Sequence, residues 1–206
     1  MKKIFALLLV LVLSVSLAGC NAKEVINKSL SRGVVDGNVY TSEYIGLTFT
    51  KPDAWVYATD EQMNELMGAS AELMGQTDYE AAVSDLLSIY DMQVTDPATN
   101  NNINIVYENL KLNGNESMTE EQYIEFVKQN LGSIAELTYS FGEIENATLG
   151  GVEFKKILCD VDYSGIISMK QVMYIKNIDG FMCGITVTIA DGTDPSVIEG
   201  YFAPIK

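Results

Sequence analysis

The sequence predicts an α+β fold, an antiparallel β-sheet flanked by helices. Three observations carry that expectation. In the last third of the chain, alternating apolar runs follow one another across links too short for anything but antiparallel neighbours. Two Thr-x-x-Gln signatures, Thr59 with Gln62 and Thr119 with Gln122, each head an amphipathic run, as capping boxes do. Between them, two alternating runs flank the turn-forming stretch 96–101, which makes a hairpin.

The elements follow in order. Residues 40–44 and 47–51 read as short strands around Gly46, with Leu47 and Phe49 on one face. Pro52 ends the second strand, and Asp53, Ala54 and Trp55 turn the chain. Met63, Leu66 and Met67 then recur at helical spacing, punctuated by Gly68 and Gly75, and a second helical stretch is expected over 79–87. In the hairpin, Tyr90, Met92 and Val94 share one face of the first strand, and Ile103, Ile105 and Tyr107 line the second. The methionines are expected as flexible core filling. Tyr123, Phe126, Val127 and Ile134 give the second capped helix an apolar face as far as about Ser133. A β-meander follows. Leu137, Tyr139 and Phe141 open it, Gly150 and Gly151 turn the chain, and Ile157, Cys159, Val161 and Tyr163 alternate. Residues 169–176 and the run Phe181, Cys183, Ile185, Val187 and Ile189 complete it. Asp194 caps a short last helix with Pro195 at its first position.

The N-terminus has a different character. Lys2 and Lys3 precede an apolar run from Ile4 to Val15, and Leu17, Ala18 and Gly19 supply small residues before Cys20. This is the layout of an export signal, and the run is short for a membrane span, which needs about 20 residues. Leu-Ala-Gly-Cys at its end resembles the lipobox of bacterial lipoproteins. The resemblance implies a diacylglycerol thioether on Cys20 and cleavage between Gly19 and Cys20. It places the protein on the bacterial cell membrane, lipid-anchored and facing outside the cytoplasm. The expected organisation is a signal peptide over 1–19, the lipidated cysteine and a polar tether over 20–36, and one domain over 37–206.

Charge narrows the partners. The net charge is −15, and it becomes more negative once Lys2 and Lys3 leave with the signal. Such a chain disfavours nucleic acid, whose affinity depends on Lys and Arg meeting phosphates. From Pro52 to Leu110 there is no Lys or Arg. The acids of that segment, among them Asp53, Asp60, Glu61, Glu65, Glu72, Asp78, Glu80, Asp85, Asp91 and Asp96, read more simply as a solvated face than as a docking or cation site. Lys23, Lys28 and Arg32 lie close enough to the expected anchor to brush anionic headgroups, but Glu24 and Asp36 dilute their charge.

Three stretches together look like the opening of PsbP-like proteins, the Mog/PsbP superfamily: Gly37-Asn38-Val39-Tyr40, Ile45-Gly46-Leu47-Thr48-Phe49 and Pro52-Asp53-Ala54-Trp55. The resemblance implies an α/β/α sandwich on an antiparallel sheet over 37–206, with Trp55 as a core anchor. It carries over no catalytic residues. The metal-binding histidines of the plant members have no counterpart, since this chain has no histidine.

The inventory for chemistry is thin. Without histidine the commonest general base and transition-metal ligand are missing. Cys159 and Cys183 are expected as buried free thiols looking into one core layer, kept from pairing by an intervening strand. Asp160 and Asp162 share a strand face and read as solvated residues, not as a catalytic carboxylate pair. The expectation is therefore no cofactor, no metal and no enzymatic activity. What remains is a membrane-anchored accessory or interaction module with an unidentified protein partner, or alternatively a small-ligand or peptide-binding lipoprotein serving as a sensor or transport accessory.

Overall fold

The computed structural model describes residues 29–67, 79–134 and 137–206. The expected signal, cleavage site and Cys20 lie outside the described residues, as do Gly68 and Gly75.

Two antiparallel sheets form the frame. The smaller has the order β1–β2–β3–β11, from Val34–Asp36, Val39–Ser42, Leu47–Thr50 and Phe202–Pro204. The larger has the order β4–β5–β6–β10–β9–β8–β7. Its strands are Val56–Tyr57 (β4), Ser88–Thr95 (β5), Asn102–Asn109 (β6), Leu137–Leu149 (β7), Val152–Tyr163 (β8), Ile167–Ile178 (β9) and Phe181–Ile189 (β10). The helices are Asp60–Met67 (α1), Tyr79–Ala82 (α2), Glu120–Leu131 (α3) and Pro195–Glu199 (α4), with a 3-10 turn at Leu110–Asn113. The α+β class with antiparallel sheets holds. The second sheet is not what the sequence suggested.

Both faces of the large sheet are covered. On one, Ile103, Ile105, Tyr107, Ile185, Val187, Val172 and Tyr174 pack against Tyr40, Leu47 and Phe49 of the small sheet, Met63 of α1, Val83 after α2, and Ile198 of α4. On the other, Ile157, Cys159, Val161, Met173, Ile175 and Met182 pack beneath Ile124 of α3. This is a three-layer arrangement in which each element buries its apolar side. Trp55 sits in the first layer, edge-on to Tyr201 at 6.2 Å between ring centroids.

Local chemistry sets the helix starts. In both capping boxes the threonine hydroxyl accepts from the glutamine amide, at 3.3 Å for Thr59 and 3.2 Å for Thr119. The glutamine side chain accepts in return from the threonine N–H, at 2.8 and 3.0 Å. Asp194 accepts from Ser196 N at 2.9 Å. The second helical stretch ends at Ala82, not near Leu87. Asn109 Nδ2 donates to Ser84 O at 2.9 Å, which engages that carbonyl off the helix axis, and the chain must reach β5 by Ser88.

Two face assignments also differ from expectation. The register between β5 and β6 shifts between Tyr90 and Met92, so Tyr90 faces Val106 whereas Met92 faces Ile105. The extra residue of this bulge is Asp91, and Tyr90 no longer shares a face with Met92 and Val94. The cysteines are free and buried, with β9 between their strands. They lie in different layers, Cys159 beneath α3 and Cys183 on the small-sheet side. Cys159 stands opposite Gln171 and Cys183 opposite Lys176. Those positions on β9 are an odd number of residues apart, hence on opposite faces.

The stretch read as the end of the tether packs from Ser29 onward. Leu30 is buried, and Val34–Asp36 forms β1. Leu30 N and Ser29 Oγ both donate to Glu80 of α2, each at 2.9 Å.

A candidate site at the seam of the two sheets

The bulge in β5 builds a buried carboxylate with several donors. An inserted residue turns its side chain against the alternation of its strand. Asp91 is thereby carried inward, where it is 5% exposed. Its carboxylate accepts from Gly33 N at 3.0 Å, from Tyr40 Oη, and from Tyr107 Oη at 3.3 Å. Burial pushes its pKa up, against the opposing pull of these donors and of the nearby Arg32 guanidinium. Gly33 must be glycine here, since a Cβ on it would lie 2.2 Å from the Tyr40 ring.

Beside this anchor opens a cleft of about 420 Å³. It is lined by Val34 and Val35 of β1, Tyr57 and Ala58 at the end of β4, Asp60 and Met63 of α1, and Asp91 and Gln93 of β5. Arg32 bonds Asp60 at the mouth, in an ion pair that leaves the Asp60 side chain 63% exposed. Its guanidinium is thus engaged within the domain. Gln93 Oε1 is buried with no hydrogen-bond partner.

A second perturbed group lies in the other layer. Glu108 of β6 stands opposite Met182, on the face covered by α3. Burial there raises its carboxyl to about 7, although Tyr123 of α3 donates to it. Sequence reasoning passed over Glu108. It adjoins Tyr107 on β6 and so points to the opposite face, and no motif marks it.

The acids of the segment 52–110 are dispersed. Asp53 accepts from Asn38, Asp60 meets Arg32, and Glu80 meets Lys111 at 2.9 Å. Asp96 accepts from Ala98 N at 2.9 Å and Thr99 Oγ1 at 2.7 Å, so its oxygens serve the hairpin turn. Among the described residues no three acidic, Cys or His side chains converge as a metal site would require. Asp160 pairs with Lys170 at 2.8 Å, and Asp162 accepts from Gly165 N and Ser168 Oγ. The two carboxylates are therefore occupied separately along one strand. Burial pushes the Cys159 thiol up to about 12 and that of Cys183 upward as well, which opposes thiolate formation.

In comparison with known proteins, the chain matches no family model and no curated relative. Among solved structures it is similar to the cyanobacterial PsbP, CyanoP, of Synechocystis sp. PCC 6803. The identity is 12% over 85% of this chain and 98% of that one, with a TM-score of 0.47. It is also similar to a Bacteroides thetaiotaomicron VPI-5482 protein, at 12% identity over 84% of this chain and a TM-score of 0.43. The chain spans 50% of the length of the Bacteroides protein.

Proposed function

We propose that the chain is an exported lipoprotein of PsbP-like type, held on the outer side of the bacterial membrane by lipid on Cys20, whose domain is a non-enzymatic interaction module. The lipobox Leu17-Ala18-Gly19-Cys20 at the end of an apolar run supports the anchor. One structural observation carries the module reading. The chain entering from the anchor side is fastened to the domain at Glu80 and Asp91, and the open cleft lies directly beside that fastening. From Cys20 to Ser29 the backbone reaches at most about 30 Å. A lipid on Cys20 therefore keeps the cleft near the membrane surface, where an accessory protein meets membrane-bound partners. Two or more acyl chains, at about 0.8 kcal/mol per buried methylene, make that anchoring stable.

The second reading, a small-ligand or peptide-binding lipoprotein, draws on the unpartnered Gln93 Oε1 in the cleft. The anchor is tested by metabolic labelling with a fatty-acid analogue. Cys20→Ala should lose the label and accumulate unprocessed precursor, and persistence of the label would overturn the lipoprotein assignment.

A further inference from the structure

The helix over the second layer, α3, is fastened unevenly. At its N-terminal end polar contacts tie it to the sheet. Asn177 of β9 donates from its backbone N to Glu120 Oε1 at 3.0 Å, and from Nδ2 to Glu116 O and Met118 O just ahead of the helix, each at 2.9 Å. Lys155 of β8 pairs with Glu121 at 2.7 Å. Past Tyr123 the polar side chains bond within the helix itself. Lys128 pairs with Glu125 at 2.7 Å, and Asn130 Nδ2 donates to Phe126 O at 3.0 Å. From there on the helix rests on the sheet through Ile124, its buried residue, and Val127, and it ends at an exposed Gly132. A short helix held by a few apolar contacts belongs to the segments that open first. Beneath it lie Cys159, Met173 and Met182, all buried.

Glu108 sits half-buried at the seam between this helix and the sheet. Across the ladder it faces Ser88 of β5 and Met182 of β10, and Asn177 of β9 continues the same row. Leu110 of the 3-10 turn belongs to the same layer. None of these carries a charge. From α3 come Tyr123, which donates to Glu108, and Glu120, whose carboxylate is held at Asn177 N. Lys155 and Lys111, on β8 and the 3-10 turn, are paired with Glu121 and Glu80. An ionised Glu108 would therefore be sealed under the helix with a hydroxyl for a partner and no cation from the described residues. Water is the partner it lacks, and lifting the helix supplies it.

We propose that α3 is a lid over the second apolar layer, pivoting on Asn177 and Lys155, and that loss of the Glu108 proton to solvent opens it. With the lid closed, the carboxyl is protonated and is buried without charge. Once ionised, it is stabilised by water that enters as Tyr123, Ile124 and Val127 lift away, and the layer holding Cys159 is uncovered. The closed form binds the proton more tightly than the open one, so rising pH favours opening. A carboxyl at about 7 when covered and 4.5 when solvated sets the size of the response. Linkage then makes opening about tenfold more favourable at pH 8 than at pH 6. This goes beyond the interaction-module reading and does not depend on the lipid.

The two free thiols are built-in reporters, Cys159 beneath α3 and Cys183 in the other layer. A brief pulse of N-ethylmaleimide leaves both intact, whereas prolonged exposure reads transient opening. The full chain and Glu108→Gln are treated at pH 6 and pH 8, and the labelled cysteine is found by peptide mass mapping. Dividing the wild-type rate by the variant rate at each pH cancels the ionisation of the thiol itself. For Cys159 that ratio should rise about tenfold from pH 6 to pH 8 while Cys183 stays unlabelled. An unchanged ratio would refute the coupling to Glu108. Labelling of Cys183 as fast as Cys159 would show that the whole domain opens, and no labelling of Cys159 would show that the helix stays shut; either result overturns the proposal. Should Glu108→Gln fail to fold, hydrogen exchange of the wild type decides. The amides from Val127 to Leu131, corrected for intrinsic exchange, should lose about tenfold protection between pH 6 and pH 8. They should also be insensitive to dilute urea, as local opening is. Unchanged protection, or exchange that urea accelerates, overturns the lid.

Discussion

Glu108 makes a quantitative demand on the stability of the domain. Burial beneath α3 carries its carboxyl from 4.5 to about 7, with Tyr123 donating to it. Ionising it inside the fold therefore costs roughly 3 kcal/mol more than in the unfolded chain. Between pH 4.5 and about 7 the native state holds a proton that the unfolded state has released. Stability falls with pH wherever the native state binds more protons, so this group's penalty grows through that window and is complete above about pH 7. Glu108→Gln keeps the shape and cannot ionise, which removes the dependence. The other carboxylates titrate alike in both proteins and cancel in the difference. Urea unfolding at intervals from pH 4.5 to 8 should show the variant gaining about 3 kcal/mol on the wild type across the range. A difference flat to within about 0.5 kcal/mol, or one of opposite sign, would show that water reaches Glu108 freely and that α3 does not seal this face.

Two further outcomes follow from the buried groups. Asp91→Ala leaves Gly33 N, Tyr40 Oη and Tyr107 Oη without their shared acceptor. At about 1–3 kcal/mol for each stranded donor, less the relief of an ionised buried carboxylate, urea unfolding should show a loss of about 3 kcal/mol, and the Gly33 amide should lose protection in hydrogen exchange. Cys159 and Cys183, free and buried, should resist alkylation in the native protein and take up two labels after unfolding without reductant; no label after unfolding would show a disulfide and refute their placement in separate layers.

Most of what was legible in the sequence is local. Both capping boxes and the Asp194–Pro195 helix start need only the first turn to declare themselves. The strands of the meander showed through period-two alternation. The rest depends on tertiary geometry. The large sheet is covered on both faces, so an apolar strand face does not say which layer it enters. Cys159 and Cys183 each sit on an apolar face, and only the register through β9 separates their layers. A bulge leaves no mark in composition, so the inward turn of Asp91 could not be seen in a run that alternates well. Three-residue strands such as β1 and β11 carry too few positions to show a period. The acidic run reads as one solvated face; of its described members, Asp53, Asp60, Glu80 and Asp96 instead serve separate structural tasks, while Glu61, Glu65 and Asp85 are exposed.

The bulge at Asp91 also accounts for why the seam beside it stays open. The small sheet joins the large one through side chains: Tyr40, Leu47 and Phe49 in the shared core, Tyr44 Oη donating to Ile178 O at 2.7 Å, and the Asp91 cluster. None of these contacts is a ladder bond between β1 and β4. Gly33 N–H is taken instead by the Asp91 carboxylate, so the entering chain is fastened to the large sheet by a side chain. The burial of that carboxylate is the cost of the fastening.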